Sequence, residues 1–242
     1  MEILHNLRKY SSVSTQHLSE LFGVSVSTIK RDLNYLEQQG KLKREYGGAV
    51  ALNLLVEANE EPVLEKMNTQ KRAKESIAQS AAEKVTAHDL VFIDSGTTTI
   101  YLAELLLNKD ITIVTNNLLL NPSPHSRAKV VLLGGEIDAK NRVTLGNEVT
   151  EALSRYNFNH CFMSASGVDL HRQQVMATLR NLVLIKQKVL QQSQQKWLLV
   201  DHSKFTIQAP YAYAELYDFN QILTDQPHLL NERNRKNENT ER

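Results

Sequence analysis

Two hydrophobic rhythms alternate along most of the chain. From about residue 73 to 228, unbroken apolar runs are separated by stretches with helical spacing. The runs are "LVFIDS" (90–95), "ITIVTN" (111–116), "KVVLLGG" (129–135), "HCFMSAS" (160–166), "KWLLVD" (196–201) and "QILTD" (221–225). Between them lie segments such as residues 71–85, where Ile77, Ala78, Ala81, Ala82 and Val85 share one helical face. Strands alternating with helices predict βαβ units and an open, mostly parallel α/β sheet. The first 55 residues follow a shorter rhythm. Ile3, Leu4 and Leu7 mark one helix. Ser14 or Thr15 caps a second, with Leu18, Leu21 and Phe22 inward, and Gly23-Val24 turns the chain. Ser25 caps a third that ends at Gly40, with Val26, Ile29, Leu33 and Leu36 on one face. "KLKRE-YGG-AVAL" then reads as a two-stranded wing with Gly47-Gly48 at its turn.

These patterns predict four regions: a winged helix-turn-helix over 1–55, a linker over 56–72, an α/β domain over 73–230 and a tail over 231–242. The linker is polar, with Glu57, Glu60 and Glu61 before Pro62. The tail has no apolar residue after Leu230 and is expected to be disordered.

Charge sharpens the picture at one place. The net charge of 242 residues is only +1, so a nucleic-acid contact needs a local patch. Between Lys30 and Arg44 five cations (Lys30, Arg31, Lys41, Lys43, Arg44) stand against two anions (Asp32, Glu37). Outward on the third helix lie Ser27, Thr28, Lys30, Arg31 and Asn34, with Ser25 at its start. Hydroxyls and an amide meet base edges or phosphates, and cations meet phosphate or guanine. An amphipathic helix with two adjacent cations is usually only a solvated face. A capped helix pair, a third capped helix and a basic hairpin favour double-stranded DNA, with Lys43 and Arg44 on the wing. The single cysteine, Cys161, forms no internal disulfide, sits in an apolar run and suits a reducing cytoplasm. The N-terminus does not read as a signal peptide, and no apolar run approaches membrane-spanning length. The eight histidines lack the spacing of zinc sites, so no metal or cofactor is expected.

The second candidate chemistry lies at strand ends, where open α/β sheets bind ligands. Ser95, Gly96, Thr97, Thr98 and Thr99 join an apolar run to a helix start, where N–H groups and the positive helix end favour an anion. Thr115, Asn116 and Asn117 end the next run. Gly134, Gly135 and Glu136 end a third, offering close backbone approach and a carboxylate for sugar hydroxyls. Asp201, His202, Ser203, Lys204 and Phe205 end a later one, with Lys204 suited to an anion. Singly these are a cap, a turn and a surface lysine; together they favour a binding site. His202 reads as structural.

"VSVSTIKRDLNYLEQQGKLKREYGGAV" (24–50) closely resembles the signature of the DeoR family of bacterial sugar-catabolism repressors. So do "DSGTTT", "TNN", "LLGGEI", "SGVD" and "DHSKF" in the rest of the chain. The resemblance implies a winged helix-turn-helix joined to a domain of the sugar-phosphate isomerase type. It also implies regulation by a phosphorylated sugar and assembly into a homo-oligomer, dimer or tetramer. The chain departs from the family in starting close to its first helix and in lacking a last apolar strand. It also carries Leu179-Arg180-Asn181-Leu182 where many members have acidic residues. Isomerisation needs a base, for which Asp94, Asp169 and Asp201 are available. With the acidic helix start lost, the pocket reads as a sensor. An active sugar-phosphate isomerase with a DNA-binding appendage is the alternative.

Overall fold

A computed structural model of the chain describes residues 3–4, 6–7, 12–38, 42–45, 47–50 and 63–230, in two compact units, Met1–Ala58 and Asn59–Arg242. Expected features at Gly40, Lys41, 51–62 and the tail from 231 lie outside the described residues.

In the N-terminal unit Ile3–Leu4 and Asn6–Leu7 are helical. Helix α1 spans Thr15–Phe22, α2 spans Val26–Gln38, and strands β1 (Ser12–Ser14), β2 (Lys43–Glu45) and β3 (Gly48–Val50) form one antiparallel sheet ordered β1-β3-β2. Ser14 caps α1 by accepting from the His17 N–H at 3.0 Å. Gly23 ends it with φ +63°, a left-handed turn that glycine adopts without strain. Ile3, Leu7, Val13, Leu18, Ile29, Leu33, Leu42 and Ala49 make the core. Two expectations change. The wing has a third strand, because β1 pairs with β3. Leu21, expected inward, is 51% exposed: this small core takes Leu18 and Phe22 and leaves Leu21 at its edge.

In the C-terminal unit the stretch after 62 is helical: α3 (Val63–Asn68) leads at once into α4 (Lys71–Ala82). The six apolar runs become six strands of one parallel sheet. They are β4 (Leu90–Ile93), β5 (Thr112–Thr115), β6 (Lys129–Leu132), β9 (Phe158–Ser164), β12 (Ser193–Leu199) and β14 (Gln221–Leu223). Their order is β14-β12-β9-β4-β5-β6. The chain therefore builds outward from β4 to one side, then returns to build outward from β9 on the other.

Alternation along each strand feeds two cores. Val91, Ile93, Ile113, Phe162 and Leu199 pack with α4 and with α5 (Thr97–Leu106). Phe92, Val114, Cys161, Met163 and Leu198 pack on the other face with α6 (Asn147–Leu153) and α7 (Arg180–Gln191). Two small antiparallel sheets, absent from the sequence-based expectation, sit on the connections. One is the hairpin β7 (Glu136–Asp138) and β8 (Val143–Leu145). The other is β10 (Gly167–Asp169), β11 (Gln174–Ala177) and β13 (Tyr211–Glu215). No helix among the described residues is long and apolar enough to cross a membrane.

Candidate functional site

On α2 the core face and the polar face separate as the 3.6-residue period requires. Ile29 and Leu33 are buried, while Ser25, Ser27, Lys30, Arg31 and Asn34 are exposed and Thr28 is half-buried. The Ser25 hydroxyl caps the helix, accepting from the Thr28 N–H at 3.2 Å, and it also meets the hydroxyls of Ser27 and Thr28. The wing is tied to this helix. The exposed Arg44 donates through Nη1 to Asn34 Oδ1 at 3.1 Å, and its N–H donates to Glu37 Oε1 at 2.7 Å. Lys43 lies on β2, and its side chain is outside the described residues. Arg44 of β2 is thus joined to the polar side of α2, on which Tyr35, not singled out by the sequence reading, is also exposed.

In the C-terminal unit, direction reverses between β4 and β9. The crevice at their carboxyl ends is where an open α/β sheet binds ligands. Ser95, Gly96 and Thr97 lie there half-buried, with Gly96 at the N-cap of α5 and Thr97 its first residue. Gly96 has no room for a side chain: a Cβ would collide with Ser164 at the end of β9. Thr98 and Thr99 are buried, and the Thr99 hydroxyl donates to the carbonyls of Asp94 at 2.6 Å and Gly96 at 2.7 Å. What the cradle leaves accessible is therefore its backbone with Ser95 and Thr97. Thr99 holds the loop.

Under the cradle lies a buried charge pair that the sequence does not announce. Lys186 of α7 bonds Asp94 Oδ2, which also accepts from the Ser164 N–H at 2.8 Å and hydroxyl at 2.5 Å. Lys186 donates as well to the Ser164 carbonyl at 3.1 Å and lies 4.9 Å from the Tyr213 ring centroid. The Tyr213 hydroxyl donates to the same carbonyl at 2.8 Å. Burial holds that phenol well above its ordinary range, so it donates and does not ionise. Asp94, one of the three candidate bases, is committed to this network. Asp169 is committed to a turn, accepting from the His171 and Arg172 N–H groups. Asp201 Oδ1 accepts from the Ser203 N–H and hydroxyl.

Neighbouring strand ends frame the crevice. The buried Thr115 hydroxyl donates to the Ile93 carbonyl at 2.6 Å, and Asn116 Nδ2 donates to the Thr144 carbonyl at 3.1 Å. Asn116 Oδ1, Asn117 Nδ2 and Asp201 Oδ2 are buried with no hydrogen-bond partner among the described residues. Such atoms cost about 1–3 kcal/mol each until something satisfies them. Gly134, Gly135 and Glu136 are exposed beyond β6, and Lys204 is half-buried beyond β12. Strands lie about 4.8 Å apart, so the strand ends carrying Glu136 and Lys204 stand about 10 Å to either side of β4. A small ligand seated on β4 meets β5 and β9 first. His202 is fixed to Asp225 through its N–H at 2.8 Å and Nδ1 at 2.6 Å, as a structural residue would be.

A second missed cation is Lys74 on α4, 2% exposed, near Asp201 and Lys204. Burial pushes its amine down to about 8, against the pull of Asp201. Cys161 is buried and its thiol pushed up to about 12 by burial, which leaves no reactive thiolate there. Among the described residues no cluster of His, Cys, Asp or Glu could hold a metal ion.

Comparison with known proteins places both units. Residues 1–54 match the DeoR-like helix-turn-helix domain, and residues 69–226 match the DeoR C terminal sensor domain. The glycerol-3-phosphate regulon repressor of Escherichia coli is 31% identical over 228 residues, 93% of this chain and 89% of that protein. The lactose phosphotransferase system repressor of Staphylococcus epidermidis is 32% identical over 228 residues, 93% and 90% of the two chains. Among solved structures, ribose 5-phosphate isomerase A of Methanocaldococcus jannaschii aligns at 14% identity with a TM-score of 0.42, over 57% of this chain and 55% of its own.

Proposed function

The chain belongs to the DeoR family of transcriptional regulators, and from that premise we propose that it represses a sugar-catabolism operon and leaves its operator when a phosphorylated sugar binds. The observation that carries this reading is the cradle. An N-terminal helix end and half-buried hydroxyls lie at the β4/β9 switch point of the unit that matches the sensor domain. Ser95, Gly96, Thr97 and the first-turn N–H groups take the phosphate. Asn116 and Asn117, with atoms still to be satisfied, take hydroxyls. Buried Thr98 and Thr115 support the floor, and Gly134, Gly135, Glu136 and Lys204 shape the rim. In the N-terminal unit Ser25, Ser27, Thr28, Lys30, Arg31 and Asn34 meet DNA from α2, with Lys43 and Arg44 from the wing. One such helix reads too few base pairs for useful specificity, so the working form is a dimer or tetramer on repeated half-sites. The chain is a regulator and not an enzyme: both matched families are regulatory, and Asp94 Oδ2 is already taken by three donors.

The test is an operator titration with and without the pentose or hexose phosphate that gives the largest thermal shift. Thr97→Glu puts a carboxylate in the first turn, where the helix dipole tolerates it and a phosphate does not. The variant should hold the operator and ignore the sugar phosphate. Equal responses from wild type and variant would put the phosphate elsewhere.

A further inference from the structure

Helix α3 is the first described element after the N-terminal unit, and it is short. Of its six residues Val63 is buried, Met67 packs half-buried against the core beside α4 and α5, and Leu64 is 50% exposed. The last carbonyls of a helix have no partner one turn on and depend on what lies beyond. Here two are taken by side chains of the helices below. The Lys66 carbonyl, shared with the Thr69 N–H, accepts from Lys74 Nζ at 2.5 Å. The Met67 carbonyl accepts from the Tyr101 hydroxyl at 3.0 Å. Tyr101 is in the second turn of α5, one turn from the cradle. Those carbonyls are consecutive, so Lys74 and Tyr101 hold adjacent residues of α3. The Lys74 ammonium also lies in the field of Asp201 and Lys204, at the strand end two places along the sheet, and of Lys66.

We propose that α3 is a latch closed by Lys74 and Tyr101, and that an anion in the cradle opens it by competing with the Lys66 carbonyl for the Lys74 ammonium. A neutral carbonyl is a weak partner for a buried ammonium, and a phosphate oxygen makes the stronger, charge-assisted bond. Burial already pushes the Lys74 amine down, against the pull of Asp201. Once α3 loosens, the signal has reached the end of the chain that leads to the DNA-binding unit. The latch rests on the cradle reading and adds the route by which occupancy leaves the site.

Hydrogen exchange on the full chain tests it, using inorganic phosphate against chloride at matched ionic strength. Phosphate should slow exchange at residues 97–100 and speed it several-fold at 63–68. Tyr101→Phe removes one staple and no cradle atom. It should speed exchange at 63–68 about five-fold without phosphate, the worth of one net hydrogen bond, while 97–100 still respond. Lys74→Met should open 63–68 by itself and abolish the further effect of phosphate there. Protection at 97–100 with no change at 63–68 overturns the latch and leaves the cradle standing. No protection at 97–100 removes the cradle and the latch's trigger together. Unchanged exchange at 63–68 in Tyr101→Phe overturns the latch whatever phosphate does.

Discussion

Lys186 and Lys74 carry opposite lessons about buried charge. Lys186 has a carboxylate partner, and removing it strands Asp94 at 1% exposure. Lys186→Met should therefore cost about 3–5 kcal/mol in urea unfolding. Asp94→Asn added to it should recover much of that, because the amide oxygen still accepts from Ser164 and no charge is left. Lys74 lacks so close a carboxylate; Asp201, Lys204 and Lys66 are the charges that face it. Its amine falls from 10.5 to about 8 on folding, so between those values the unfolded chain binds more protons than the folded one. The contribution of Lys74 to stability should rise as pH climbs through that window and stay flat below it. Comparing wild type with Lys74→Met across that range checks the slope. Neither lysine was legible in the sequence, where a lysine in a helix reads as surface, and the partner of Lys186 lies 92 residues away. Lys30 and Arg31 were legible, because helical period alone turns them outward. Lys30→Ala with Arg31→Ala should abolish operator binding in a gel shift and leave the melting temperature nearly unchanged, since both sites are exposed.

At the scale of elements, the strands that hold the crevice were readable and the hairpins around it were not. The six parallel strands show as apolar runs, most plainly β4 and β5, which are covered on both faces and have no polar side to show. Strands β7, β8 and β10 have three residues each and owe their pairing to the surfaces they cover. The end of β9, "SAS", went unremarked in the sequence although Ser164 joins the crevice. The rule that parallel strands offer ligands their carboxyl ends would have found it. Strand β1 was hidden too, inside what reads as a helix cap. Its pairing makes one glycine indispensable: a Cβ on Gly48 would strike the Val13 carbonyl oxygen. Gly48→Ala should destabilise the N-terminal unit by about 1–3 kcal/mol. Calorimetry should show that unit's transition falling while the α/β unit's is unmoved.

For the whole molecule, the steepest dependence should be on salt. Net charge is +1, so long-range attraction to DNA is weak, and on the function proposed above binding rests on phosphate contacts from α2 and the wing. Operator affinity should drop steeply as salt rises, with a shallower slope in a Lys30→Ala protein that keeps Arg31. Sedimentation at working concentration should show at least a dimer. A monomer tight on a single half-site would contradict the reading given above. No solvent deuterium should enter the carbon beside the carbonyl of pentose or hexose phosphates at an enzymatic rate.

The switch between β4 and β9 also sets an order of events during synthesis. Asp94 is made early, yet Ser164 follows 70 residues later and Lys186 92 residues later. Contacts that distant form slowly, and domains fold from the N-terminus as the chain emerges. The unit that reads DNA is thus finished while the crevice still lacks one wall. On a nascent chain the operator reader precedes the part that matches the sensor domain.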